Sequence, residues 1–272
     1  MSKIKSKQTL SSFLEELTLN GQFYFTLEEI KQKLPIKATS LSVSLSRLSQ
    51  KGKVQMVRKG FGLITGHTRG SLHPSYFIDS MMNHLNAKYY VGLLSAASHW
   101  GASHQAAMTY FIVADKVIKP ISLGRLKIVF IAKRNFDDIS EVVKVAGVGG
   151  YYLVSSPELT ATDLIRFPKK SGHLNNVATV LEDLLPQINL KKLAALCAES
   201  KVPTVTLQRL GFIFDKILND NGVANCIEKA LSKRTVAGSN LSVSRKTSQE
   251  ARAQFPFDEK WKIYINTTVE PD

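Results

Sequence analysis

Three sets of residues in this sequence could carry chemistry. The first is a run of hydroxyls and cations at helical spacing: Thr39, Ser40, Val43, Ser46 and Arg47, with Lys37 just before them and Lys51 just after. Hydroxyls bond phosphate oxygens or base edges, and an arginine can fork onto O6 and N7 of a guanine. Serines weaken a helix, so their concentration there points to a surface with a task. The second set is a cationic hairpin, Lys53, Arg58 and Lys59, with Arg58-Lys59-Gly60 at its tip. Such a tip suits a minor groove or flanking phosphates. The third is a pair of carboxylates, Glu158 and Asp163, followed by Arg166, Lys169 and Lys170.

The third set reads as structure before it reads as catalysis. A metal-dependent nuclease needs carboxylates feeding a strand that ends in lysine, so that the acids hold Mg²⁺ and the lysine positions water. The best strand of that kind, Ile128-Val-Phe-Ile-Ala-Lys133, has Ile131 where an acid should stand. Ser156-Pro157-Glu158 is instead a capped helix start, with Glu158 at the positive end of the dipole. The six histidines, His67, His73, His84, His99, His104 and His173, include no pair four apart on one helix face. His99 and His104 flank Trp100-Gly101 as a polar helix end. Gly147-Val-Gly149-Gly150 precedes a strand and lacks the Lys-Ser/Thr of a phosphate loop. Ser95 and Ser98 lack a nucleophile elbow. The expectation is therefore no catalysis, no metal and no cofactor. A metal-dependent nuclease with an N-terminal DNA-targeting domain stays open as an alternative, and so does a protein-docking adaptor.

The first two sets need particular elements to present them. Leu10, Phe13, Leu14 and Leu17 mark one helix face, stopped by Asn20-Gly21. Thr26-Leu-Glu-Glu29 is a capping-box pattern that starts a short second helix before Leu34-Pro35. A third helix runs from about Ala38 to Lys51, with Ala38, Leu41, Leu45 and Leu48 inward and Gly52 as its left-handed exit. Val54 to Arg58, a Lys59-Gly60-Phe61-Gly62 turn and Leu63-Ile64 read as a β-hairpin. Three helices followed by a hairpin is the order of a winged helix-turn-helix. Turn formers at 65–71 place a domain boundary there, giving domains 1–70 and 71–272.

The second region is mixed. Helices are expected near 74–85, Tyr89–His99, 174–185, 190–199, 204–219 and 223–232, and strands at 108–114, 126–132, 150–155 and 261–265. The fold class is α+β: a winged helix followed by a larger mixed α/β domain. With 272 residues, 44% apolar and 21% charged, the chain can bury a core without staples. The net charge of +14 points to an anionic partner, and a net +8 falls on residues 1–70. The basic doublets Lys169-Lys170, Lys191-Lys192, Lys233-Arg234 and Arg245-Lys246 read as solvated helix ends that could extend a DNA track. Cys197 and Cys226 sit in apolar helical contexts, as reduced thiols of a cytoplasmic protein do. No stretch has the length of a membrane span, and the Lys-rich start lacks a signal peptide's apolar run.

Several stretches together resemble the AbiEi-type antitoxins of abortive-infection, type IV toxin–antitoxin systems. They are LSRLSQKGKVQMVRKGFGLI at Leu45–Ile64, YYVGLLSAASHWGASHQ at Tyr89–Gln105, VSSPELTATDLIRFP at Val154–Pro168, SGHLNNVATVLEDLL at Ser171–Leu185, LQRLGFIFDKI at Leu207–Ile217 and FDEKWKIYIN at Phe257–Asn266. They span nearly the whole chain in the family's order. One departure is the wing, Phe61-Gly62-Leu63, where relatives often carry Gly, an aliphatic residue and Tyr. The resemblance implies a cytoplasmic bacterial transcriptional autorepressor that binds inverted operator repeats in its own promoter as double-stranded DNA. It further implies a C-terminal domain needed for antitoxicity and, as functional partner, a cognate nucleotidyltransferase-like toxin, with or without stable contact. The system would serve phage defence.

Overall fold

The computed structural model describes residues 8–66, 72–102, 108–133, 136, 141–199, 202–242, 252 and 254–271. The chain opens with α1 (Leu10–Leu19), β1 (Tyr24–Thr26), α2 (Leu27–Lys33), α3 (Ala38–Gln50), β2 (Val54–Arg58) and β3 (Phe61–Ile64). Local chemistry sets these limits. The Thr9 hydroxyl accepts from the Ser12 amide and the Ser12 hydroxyl from the Thr9 amide, which closes the first turn of α1. Thr26 accepts from the Glu29 amide at 3.1 Å. The Glu29 carboxylate does not reach back to complete the expected box; it accepts from the Gln22 side chain. Gly52 exits α3 at φ +68°, where a side chain would be strained.

The three strands form an antiparallel sheet in the order β1-β3-β2. β1 is not expected from the sequence, because three residues are too short for a period to show. It pairs Phe25 with Gly62, and the Phe25 ring lies flat on that glycine. A Cβ on Gly62 would stand 2.3 Å from Phe25 Cζ, so the contact requires glycine. The turn is Lys59-Gly60 alone, with Phe61 and Gly62 already in β3. Leu10, Phe13, Leu14, Leu17, Phe25, Ile30, Leu41, Leu45, Val54 and Ile64 close one core.

The second region is built on a six-stranded mixed sheet of β4 (Tyr89–Val91), β5 (Thr109–Ala114), β6 (Ile121–Leu123), β7 (Leu126–Ala132), β8 (Val142–Gly147) and β9 (Gly150–Ser155). The order is β6-β7-β5-β4-β9-β8, with β5–β7 and β4–β9 parallel and the other pairs antiparallel. The strands expected at 108–114, 126–132 and 150–155 are present. The helix expected over Tyr89–His99 is not continuous: Tyr89–Val91 is β4, and α5 (Leu93–His99) begins only after Gly92. Both faces of β4 are buried, and a short apolar run of that kind looks the same as a buried helix by periodicity. Gly92 is extended, and a Cβ there would meet Val113 Cγ2 at 2.9 Å.

Strand alternation sorts the side chains onto two faces. Tyr89, Val91, Ile112, Ala114, Ile128 and Val154 meet α4 (Ile78–His84), Phe77 and, from β3, Phe61 and Leu63. Tyr90, Phe111, Val113 and Ile131 meet a helical layer of α6 (Pro157–Arg166), α7 (His173–Leu184), α8 (Leu190–Ala198), α9 (Thr204–Phe212) and α10 (Asn221–Leu231). A wider turn, Ile213–Ile217, extends α9. Short strands β10 (Ser239–Asn240), β11 (Phe257–Asp258) and β12 (Ile263–Tyr264) follow, and the Trp261 ring lies against Gly211. The expected boundary at 65–71, like the Arg245-Lys246 doublet, lies largely or wholly outside the described residues. Around it, β3 contributes to cores on both sides.

Candidate nucleic-acid interface

α3 is amphipathic, and that fixes what it shows. Leu41 and Leu45 point into the core. Thr39, Ser40, Val43, Ser46 and Arg47 fall on the opposite face, all exposed, with Val43 at 50%. Lys37 is the N-cap residue but makes no side-chain cap, so its ammonium is not used there. Lys51 is the C-cap residue, and Lys51, Lys53 and Lys59 are exposed. None of Lys37, Arg47, Lys51, Lys53 and Lys59 has a carboxylate partner among the described residues. The sequence explains this, since no Asp or Glu occurs between Glu29 and Asp79. Beside α3 runs a groove of about 490 Å³, lined among others by Lys31, Ser42, Ser46, Ser49, Gln50 and Met56. Ser42 and Ser49 were not in the expected set, although they stand on the same helix.

Arg58 corrects the picture of the hairpin. It was expected at a free, DNA-gripping tip, but it is half-buried and already engaged. Its guanidinium donates to the Val57 carbonyl at 2.7 Å and to the Lys119 carbonyl, and lies 5.4 Å over the Phe130 ring. Burial lowers its pKa. The neighbouring turn is held as well: His84 Nε2 lies 2.9 Å from the Lys59 carbonyl oxygen, and the Gln55 side chain donates to the Ser122 carbonyl at 2.9 Å. The physical cause is the pair Phe61 and Leu63, which must be buried and draw the hairpin onto the sheet of the second region. Only the Lys59 side chain remains exposed at the tip.

The carboxylates weighed for metal chemistry are both committed. Asp163 is buried on α6, where it accepts from the Tyr90 hydroxyl at 2.5 Å and from Lys133 Nζ at 3.0 Å; Lys133 also donates to Tyr90 at 2.8 Å. Burial, then the Asp163 charge, pushes the Tyr90 hydroxyl well above its ordinary pKa. Glu158, equally buried, accepts from the Asn189 backbone N–H at 2.7 Å with one oxygen, while the other has no partner among the described residues. It joins α6 to the start of α8. Among the described residues, no three His, Cys, Asp or Glu side chains gather as metal ligands. His99 ends α5, as expected, edge-on to Trp100 at 4.8 Å. His67 and His104 lie outside the described residues. The Tyr90–Lys133–Asp163 triad was not foreseen. Its signal was Lys133 itself, a lysine closing an apolar strand, which must find a counter-charge when buried.

Comparison with known proteins adds four findings. The crystal structure of the RV2827C protein from Mycobacterium tuberculosis is similar over 93% of this chain and 89% of that chain, with a TM-score of 0.66 and 15% identity. At that identity the likeness is one of fold. A nucleotidyltransferase-like protein from Paracoccidioides brasiliensis aligns over 59% of this chain and 86% of that one at 10% identity, but its TM-score of 0.30 does not establish a shared fold. No curated protein matches the sequence. Residues 90–216, just under half of the chain, match the family model of the AbiEi antitoxin C-terminal domain. That match identifies residues 90–216 as an AbiEi antitoxin C-terminal domain.

Proposed function

We propose that residues 8–66 are a winged helix-turn-helix that binds double-stranded DNA through α3, and that the protein is the autorepressing antitoxin of a type IV toxin–antitoxin pair. The observation that carries the DNA reading is the outward face of α3. It holds small hydroxyl side chains and Arg47, flanked by Lys37, Lys51 and Lys53, with no carboxylate opposing them. A helix with small outward residues can lie deep in a major groove, with hydroxyls and an arginine at base edges and lysines on the phosphates. The element order α1-β1-α2-α3-β2-β3 supports the fold half of this reading.

The antitoxin half rests on the family match of residues 90–216. Its implied partner is a nucleotidyltransferase-like toxin, opposed with or without stable contact. The protein is read as a non-enzyme: Glu158 and Asp163, its best acidic candidates, are tied into helix packing and an internal ion pair. The test uses the region upstream of the operon. Full-length protein should retard that fragment in a gel and silence a reporter driven by it. Co-expression should also restore growth to cells making the neighbouring toxin. A protein that rescues growth but neither shifts nor silences its upstream region would remove the DNA-binding half. One that represses without rescue would remove the antitoxin half.

A further inference from the structure

Val43 is out of character on the face it occupies. It stands in the middle of α3 with its methyl groups open to solvent, and its neighbours on that face are Thr39, Ser40, Ser46 and Arg47. A β-branched side chain there lowers helix propensity and gains nothing from burial. The other large apolar side chains exposed on helices of the described residues sit at helix ends: Leu19 closes α1 and Leu190 opens α8. Met56 is also exposed beside α3, but on β2, across the groove that Ser42, Ser46 and Ser49 border.

The position of Val43 gives those methyls a use. Val43 and Arg47 are four residues apart, so they share one ridge and are separated by about 6 Å along the helix axis. Base pairs follow one another at about 3.4 Å. When Arg47 meets one base pair, Val43 therefore meets another one or two steps away. In the major groove thymine alone presents a methyl group, while the other base edges offer only donors and acceptors. Against a donor or acceptor, valine would displace water and return no hydrogen bond. Against the thymine methyl it buries apolar surface, and its χ1 is already held in one rotamer by the helix.

We propose that Val43 reads the C5 methyl group of a thymine, one or two base pairs from the guanine taken by Arg47. The inference rests on α3 entering the major groove, and it deepens that reading. Hydroxyls of Thr39, Ser40 and Ser46 can serve any base pair or a phosphate, so they leave the sequence open. Val43 adds a preference that they cannot supply.

The test is fluorescence anisotropy on full-length protein at one fixed salt concentration. The probe is a labelled duplex of the upstream region in two forms, one natural and one with deoxyuridine at every thymine. Deoxyuridine keeps the base pairing and removes only the methyl. The wild type should bind the uracil form more weakly, by roughly fourfold for each methyl it covers. Val43→Ala should bind both forms alike, near the wild type's affinity for the uracil form, and Met56→Ala should keep the full preference. Val43 is exposed, so Val43→Ala should melt with the wild type. If the wild type binds both forms equally, the thymine reading is wrong and the α3 reading survives. If Val43→Ala keeps the wild-type preference, the methyl acts through duplex shape or another side chain, and the assignment to Val43 falls. If Met56→Ala erases the preference, the reading belongs to β2 and the assignment falls as well. If the wild type binds neither form, both the thymine reading and the α3 reading fall.

Discussion

The Arg58 guanidinium, at the end of β2, lies 5.4 Å over the ring of Phe130, in the middle of β7. This contact couples the N-terminal hairpin to the sheet of the family domain. Arg58→Ala removes a cation–ring contact and hydrogen bonds to two carbonyls, a loss of about 2 kcal/mol in urea unfolding. Lys59→Ala, one residue on and exposed, should change stability by less than about 0.5 kcal/mol. If the two cost the same, Arg58 is not the anchor.

The buried triad of Tyr90, Lys133 and Asp163 makes a second prediction. Asp163→Asn leaves the Lys133 ammonium buried without its counter-charge and should cost about 3–5 kcal/mol. Replacing both partners together, Lys133→Met with Asp163→Leu, should recover most of that loss, because the pair's attraction mainly offsets its own desolvation. Equal losses in single and double variants, read by urea or thermal melts, would show that the charges are not coupled.

Gly62→Ala tests the packing of β1 on β3. The added methyl would sit 2.3 Å from Phe25 Cζ, so the ring must shift or the strands must separate. A cost of about 1–3 kcal/mol is expected. Gly62→Ala combined with Phe25→Leu should be less harmful than the sum of the two, which a double-mutant cycle will show.

Acid should cost the fold some stability. His73 and His99 both remain more than a third exposed, and the covered part of each ring lowers its pKa below the ordinary 6.5. Between the folded and unfolded values, the unfolded chain binds more protons, so stability rises with pH there. The contribution is intact above about pH 6.5 and is lost as pH falls from there toward the lower folded values. Melting temperature should drop across that window, and His99→Gln should flatten part of the slope. A slope that His99→Gln leaves untouched would assign it to other groups.

The sequence made some of these features legible and concealed others for definable reasons. The faces of α1 and α3 were readable because Leu10, Phe13, Leu14, Leu17, Leu41 and Leu45 keep a helical period over several turns. β5, β7 and β9 were readable as β-branched and aromatic runs. β4 was not, since Tyr89, Tyr90 and Val91 are buried on both faces of a three-residue strand and carry no alternation. Within the candidate site, exposure of Thr39, Ser40, Val43, Ser46 and Arg47 followed from the helix period. The engagement of Arg58 did not, because its partners, Lys119 and Phe130, lie some sixty residues or more away in sequence. A charge pattern gives the sign of a surface, while tertiary contacts decide which cations stay free.

The central claim is that Arg47 and its neighbours on α3 read bases. The direct measurement is the ratio of affinities for the upstream duplex and a mixed-sequence duplex, for wild type and Arg47→Ala, at one fixed salt concentration. The account predicts that Arg47→Ala costs about 1–3 kcal/mol on the upstream duplex and little on the mixed one, so the ratio collapses. An unchanged ratio, with both affinities falling together or neither falling, would contradict it.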